Sequence, residues 1–129
     1  MSHFSTVKTR MVVAEYLKKS LEDIGYAYEE GAVNIRGYQG RKTTVEIKIN
    51  TSSAGYDIGF RPSETGYEVV ADWWGIKDVK QEELIQQLTQ RYAYHAAIDK
   101  LQKQGFDLSS EEVGADGKIH LVLRRMASP

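Results

Sequence analysis

The spacing of the apolar residues changes along this chain from helical to strand-like, back to helical, and again to strand-like. Over residues 13–24 apolar side chains recur at helical spacing up to Gly25, which predicts an amphipathic helix. Helical spacing returns over residues 81–104 and stops at Gly105, which predicts a second helix of about seven turns. The segments around these two helices alternate between apolar and polar residues, which predicts half-buried strands.

The strands predicted between the helices share apolar residues at every second position: Val33 and Ile35; Val45, Ile47 and Ile49; Tyr56, Ile58 and Phe60; Tyr67, Val69, Ala71 and Trp73. Turn residues at Gly31, at Gly40, and in segments 51–55 and 62–66 predict antiparallel hairpins. A strand at residues 4–8, a short strand ahead of Gly31 and closing strands at 106–108 and 118–125 complete the order β-α-β-β-β-β-β-α-β-β.

These elements predict an α+β fold with a single, largely antiparallel sheet of about six to eight strands and both helices on one face. A similar run of Gly, aromatic residue, strand, acidic turn and strand follows each helix, which is consistent with an internal duplication of a β-α-β-β unit. A chain of 129 residues has the length of one domain. We therefore expect residues 1–125 to form one α+β domain and residues 126–129 a flexible C-terminal tail.

Composition excludes several classes of function. The chain has 17 Lys and Arg against 18 Asp and Glu, so its net charge does not favour nucleic acid or an anionic membrane as a partner. It has no cysteine, which excludes disulfides, thiolate metal sites and cysteine nucleophiles. Because the N-terminus lacks a secretory signal pattern and no stretch is apolar enough to span a membrane, we expect a cytoplasmic protein, or one of an equivalent compartment such as a stroma.

The strand face that points away from the predicted core carries charged and aromatic residues. Strand alternation places Arg61, Asp72 and Trp74 on this face, together with Tyr38 from a neighbouring strand. One interpretation is a solvated surface with cross-strand pairs such as Arg61 with Glu68 or Asp72. The other is a binding face for a macromolecule, because aromatic residues and arginine dominate interface hot spots.

Asp72 lies between apolar neighbours in its predicted strand and must therefore be exposed, paired or functional. We expect a structural role, in which the carboxylate is paired and partly buried. Arg36, Lys48 and Arg91 are its candidate donors.

Arg91 and His95 lie one turn apart on the second predicted helix. They are either structural donors to a carboxylate or carbonyl where helix and sheet meet, or part of a ligand or enzyme site with Asp72 in a cleft between the second helix and the sheet. His3, His95 and His120 lie on three different elements without ligand spacing, so we expect no metal site.

Motifs for nucleotide phosphates and the nucleophile elbow are absent from the sequence, so we assign no catalytic residue and expect no cofactor. A nucleic-acid-binding platform is a further alternative. It is disfavoured because acidic residues dilute the basic ones on the same face.

Four dispersed segments carry a family resemblance: MSHFSTVKT at residues 1–9, DIGFR at 57–61, ADWWG at 71–75 and LTQRYAYH at 88–95. With them the chain resembles the hypothetical chloroplast reading frame thirty-five family, a small domain of unknown function. The resemblance implies a cyanobacterial, plastid or phage setting and no established site residues. Relatives are often encoded beside an AAA-type ATPase and a ferredoxin-like protein, which suggests these as protein partners and an accessory, non-catalytic role.

Overall fold

Two helices and seven strands are present in residues 3–125, the part of the chain that the computed structural model describes. The strands are β1 (Ser5–Lys8), β2 (Tyr28–Arg36), β3 (Lys42–Asn50), β4 (Asp57–Pro62), β5 (Tyr67–Ala71), β6 (Phe106–Val113) and β7 (Ile119–Arg125). The helices are α1 (Ala14–Asp23) and α2 (Gln81–Lys103), and short 3₁₀ turns occupy Tyr38–Gly40 and Trp73–Gly75. The predicted tail at residues 126–129 lies outside the described residues.

The strands pair antiparallel throughout, which confirms the predicted α+β class. Five of them form one sheet in the order β1-β5-β4-β3-β2, whereas β6 and β7 form a separate two-stranded sheet. This division differs from the expected single sheet. Only Gln104 and Gly105 separate α2 from β6, so the closing hairpin turns back along α2 and does not reach the main sheet.

Both helices pack on the same face of the five-stranded sheet, as predicted. Leu17 and Leu21 of α1 and Leu84 and Leu88 of α2 are buried in one cluster with the sheet residues Ile47, Ile49, Ile58, Phe60 and Val69. Gly25 ends α1 at a φ of +95°, and the Tyr26 N–H then bonds the Leu21 carbonyl at 2.9 Å. The apolar stripes of the sequence therefore identify the main core correctly.

Four strands, not five, lie between the helices. The turn expected at Gly31 is a bulge inside the continuous strand β2, where the pairing with β3 shifts between Glu30 and Val33. Gly31 adopts a φ of +112° there, a conformation that favours glycine. A glycine signal that is typical of a turn thus marks an irregularity within a strand.

The order β-α-β-β occurs twice in the described chain, as β1-α1-β2-β3 and as β5-α2-β6-β7, with β4 alone between the two units. Their hairpins occupy different places, because β2 and β3 belong to the main sheet and β6 and β7 do not. The two units therefore share the order of their elements but not their position in the fold.

Candidate functional site

The β2–β3 hairpin covers much of the sheet face that the sequence predicts to be open. Before the bulge, its apolar side chains point toward the helices. Beyond the bulge, Ile35 and Val45 instead join Val70 in a second buried cluster. The contact is tight, because a Cβ on Gly59 would lie 2.5 Å from Cγ1 of Val45.

The hairpin therefore covers part of the charged and aromatic strand face that the sequence predicts to be open, and that prediction is wrong for this part of the sheet. Asp72, which strand alternation places on the open side, is 2% exposed, and Asp57 is 0% exposed. Both carboxylates are covered by the β2–β3 hairpin, in which the bulge places two residues of β2 opposite one of β3, so that Ile35 lies on the same face as Val45.

Asp57 anchors the hairpin to β4. Its carboxylate accepts the backbone N–H of Arg36 at 2.8 Å, and the guanidinium of the same residue donates from Nε at 3.0 Å and from Nη2 at 3.1 Å. Burial alone raises the pKa of Asp57, but the hydrogen bonds and charge of Arg36 outweigh it and lower the pKa below its ordinary value. Asp57 is therefore a buried, ionised anchor.

Asp72 anchors the hairpin tip in a different way. Its Oδ2 accepts the backbone N–H of Tyr38 at 3.0 Å. The three cations proposed as its donors bind other carboxylates: Arg36 binds Asp57, Lys48 binds Glu29 and Arg91 binds Asp23. Asp72 is thus buried, as its structural interpretation requires, and it accepts a hydrogen bond from a backbone group that side-chain patterning could not identify.

Arg61 lies apart from this anchored end of the sheet. Its Nε donates to Glu68 at 2.6 Å across the β4–β5 pair, which confirms one of the predicted cross-strand partners. Four positions of β4 separate Arg61 from Asp57, a distance of about 13 Å along a strand. Arg61, Asp72 and Trp74 therefore do not form one continuous patch.

Trp74 is displayed by the 3₁₀ turn that follows β5. The predicted strand extended to this residue, but β5 ends at Ala71 and the turn Trp73–Gly75 replaces its continuation. Trp73 packs against the main core, whereas Trp74 is 62% exposed. The turn is compact because the ring of Tyr56 lies over Gly75, where a Cβ would approach the ring to 2.0 Å.

The exposed Trp74 ring has neighbours on two sides. Tyr38 contacts it edge to face with the ring centroids 5.6 Å apart. Lys77 places its Nζ 5.5 Å from the ring centroid and donates to the Trp74 carbonyl at 2.9 Å. We call Tyr38, Trp74 and Lys77 the aromatic corner, and the Asp72 hydrogen bond to the Tyr38 backbone fixes one of its sides.

Arg91 and His95 both bind Asp23, the last residue of α1. The Oδ2 atom of Asp23 lies 2.9 Å from Nε of Arg91 and 2.6 Å from Nε2 of His95. Burial tends to raise the pKa of Asp23, but the bonds from His95 and Arg91 lower it below its ordinary value. The partner lies between two helices and is not Asp72, so the predicted constellation of Arg91, His95 and Asp72 is not assembled.

The same cluster connects α2 to the closing hairpin. Arg91 stacks on the ring of Tyr94 at 4.2 Å and lies 3.8 Å from Glu111 of β6. The Tyr94 hydroxyl also donates to Glu111 at 2.8 Å. These contacts give Arg91 and His95 a structural role at the junction of three elements.

Two further observations concern residues 3–125. Within this range, no group of three or more His, Cys, Asp or Glu side chains is placed to hold a metal ion. Neither described helix combines the length and apolarity needed to cross a membrane.

Comparison with known proteins gives one consistent family. The family described as "Protein of unknown function (DUF1257)" matches residues 20–122. The chain is similar to "Uncharacterized protein ycf35" of Cyanophora paradoxa, with 37% identity over 127 residues that cover 97% of this chain and 98% of the relative. Proteins of the same name from Guillardia theta and Pyropia yezoensis are 34% and 30% identical, with the same coverage. No solved structure matches significantly.

Proposed function

Given that the chain belongs to the family of the ycf35 proteins, we propose that it is a non-catalytic accessory protein that binds a macromolecular partner through the aromatic corner. The observation that carries this proposal is Trp74, which is 62% exposed and yet held between Tyr38 and Lys77. The family resemblance supports a cyanobacterial cytosol or a plastid stroma as its setting.

The energetic argument rests on the surface that Trp74 leaves in water. A Trp side chain buries about 150–250 Å² when it is fully covered, so the exposed part amounts to roughly 100–150 Å². At about 25 cal/mol per Å², covering it contributes about 3 kcal/mol to association. This is the size of contribution that defines a binding hot spot.

The position of the ring adds to this contribution. A free surface side chain must be ordered on binding, which costs about 0.5–1.5 kcal/mol. Trp74 is restrained beforehand by the edge-to-face contact with Tyr38 and by the compact turn over which Tyr56 packs. Lys77 adds a positive charge beside the ring, so the corner suits a partner surface with an apolar pocket bordered by carboxylates.

The test is affinity capture from a cyanobacterial lysate with the wild-type protein, Trp74→Ala and Val113→Ala. Val113 is 66% exposed on β6 and therefore controls for the loss of an exposed apolar side chain elsewhere. We expect Trp74→Ala alone to lose a protein that the other two retain. The AAA-type ATPase and the ferredoxin-like protein that the resemblance suggests are the first candidates.

The captured protein is then purified and its affinity measured by titration. Trp74→Ala should weaken binding at least about tenfold, and Val113→Ala should leave it within about twofold. A captured set that is identical for all three proteins would refute the aromatic corner as the binding surface. Arg61→Ala tests the other part of the binding face that the sequence predicts. If this variant no longer captures the same protein, the interface extends to the Arg61–Glu68 pair.

A further inference from the structure

A cavity of about 560 Å³ lies between α2, the segment that joins β1 to α1, and the β4–β5 turn. Its floor includes Met11 and Ile85, and Tyr92 and Thr89 of α2 form part of its wall. Lys8 and Arg10 complete the lining on the side of β1. The volume lies within the range of small-molecule sites, about 300–1,000 Å³.

Backbone contacts fix the walls of this cavity. The Tyr67 N–H bonds the Met11 carbonyl at 2.6 Å, and the Thr9 N–H bonds the Tyr67 carbonyl at 3.2 Å. Opposite, the Tyr92 hydroxyl accepts the backbone N–H groups of Val12 at 3.0 Å and Val13 at 2.9 Å. The joining segment is therefore tied to both the sheet and α2, and the cavity exists before any ligand binds.

The two cations in the lining are not neutralised by the described part of the chain. Neither Lys8 nor Arg10 forms an ion pair or a side-chain hydrogen bond with another residue in 3–125. Glu68 is paired with Lys8 in the β1–β5 register, but its carboxylate binds Arg61 at 2.6 Å. An apolar floor thus lies beside two positive charges that are available to a ligand.

We propose that this cavity binds a single-chain amphiphile with an apolar body and one anionic head group. The apolar body covers Met11 and Ile85, and the carboxylate or phosphate head meets Lys8 and Arg10. The two cations and the apolar floor together select this class, because a neutral hydrocarbon forms no charge-assisted hydrogen bond with the cations and a small inorganic anion leaves the floor in water. The inference is independent of the aromatic corner.

The test uses decanoate, decyl phosphate and decanol as probes, each below its micelle-forming concentration. Binding to the full chain is followed by NMR at the methyl groups of Met11 and Ile85, with Ile76, which lines a different cavity, as the internal control. We expect saturable shifts at the first two methyl groups with both anions. Binding of decanol should be about tenfold weaker or more, because it lacks the charged hydrogen bonds.

Two variants examine the site itself. The double variant Lys8→Glu with Arg10→Glu should weaken decanoate binding about tenfold or more. Lys19→Glu with Lys42→Glu changes the net charge equally at exposed positions and should leave binding within about twofold. Thr89→Trp, at an exposed position of α2, fills the cavity and should abolish the methyl shifts without removing a charge.

Equal binding of decanol and decanoate, or equal weakening by both charge-reversal pairs, would overturn the proposal. The stronger of the two anions identifies the head group, carboxylate or phosphate. Cosedimentation with phosphatidylglycerol vesicles that depends on Lys8 and Arg10, without any methyl shift from decanoate, would also overturn it and assign the patch to a lipid surface.

Discussion

Replacing Asp57 with Asn tests whether the buried carboxylate holds the β2–β3 hairpin over the sheet. Asp57 is fully buried and accepts three hydrogen bonds from Arg36, two of them from the guanidinium. Asn keeps the shape of the side chain and one acceptor oxygen, which can still serve the backbone N–H of Arg36. Its amide group, however, places N–H donors against the guanidinium.

The size of this destabilisation follows from how deeply Asp57 and Arg36 are each buried. Removing one partner of a fully buried ion pair costs about 3–5 kcal/mol. The Arg36 side chain is 49% exposed, so water can solvate it after the change and the cost is smaller. We expect Asp57→Asn to lower the free energy of unfolding by about 2–4 kcal/mol at pH 7, a large part of the about 5–15 kcal/mol typical of a domain.

The destabilisation by Asp57→Asn should also depend on pH, and the pKa of Asp57 determines in which direction. Because the folded state lowers the pKa of Asp57, the ionised carboxylate stabilises the fold above the unfolded-state pKa of about 3.9. This stabilisation is lost as the pH falls through the lowered folded-state pKa. The difference between wild type and Asp57→Asn should therefore narrow as the pH falls from about 5 toward 2.

Urea unfolding of both proteins at several pH values measures the difference. Glu83→Gln is the matched carboxylate-to-amide control, because Glu83 lies 4.0 Å from Lys80 in an exposed pair and should contribute less than about 0.5 kcal/mol. A stability of Asp57→Asn within about 0.5 kcal/mol of wild type at pH 7 would refute the anchoring role. So would a difference that grows as the pH falls.

Three further substitutions give expected outcomes. Asp72→Asn, at the residue that accepts the Tyr38 N–H, should cost about 1–3 kcal/mol in urea unfolding, and an unchanged midpoint would contradict its structural role. Gly75→Ala should lower the free energy of unfolding by about 1–3 kcal/mol or more, because the new methyl group meets the Tyr56 ring. In the double variant with Tyr56→Ala, part of this loss should be recovered. Strictly additive effects of the two substitutions would contradict the contact. Asp23→Asn removes the carboxylate that Arg91 and His95 share and should lower the free energy of unfolding by about 1–3 kcal/mol at pH 7. Since the pKa of Asp23 is lowered in the fold, this loss should shrink as the pH falls below about 4. A loss that does not depend on pH would contradict the role of Asp23 as an ionised acceptor.

The sequence predicted the elements well because their signals are local. Helical spacing and a following glycine determine where α1 ends at Asp23 and where α2 ends at Lys103, each within one residue of the expectation. Strand alternation likewise identified Ile58 and Phe60 as residues of the main core. Such patterns depend on neighbours a few residues apart, which the sequence displays directly.

The candidate site was predicted less well because it depends on one irregularity and on distant pairs. Gly31 is typical of a turn, but here it belongs to a bulge that exchanges the faces of the residues after it. Asp57 and Arg36 are 21 residues apart, and Asp23 and His95 are 72 apart, so no periodic pattern relates them. Arg61 and Glu68, which adjoin a predicted hairpin turn, form one of the two pairs that the sequence suggested for Arg61.

The separate position of the closing hairpin affects how the chain opens locally. No residue of β6 or β7 belongs to either buried cluster among the described residues, and the hairpin is connected to the rest chiefly through α2. Its amide protons can therefore exchange with solvent through a partial opening that leaves the five-stranded sheet intact. We expect the amides of β4, whose Ile58 and Phe60 are fully buried, to exchange only when the whole domain unfolds. We therefore expect two cooperative units of unequal stability, the closing hairpin and the five-stranded sheet with its helices.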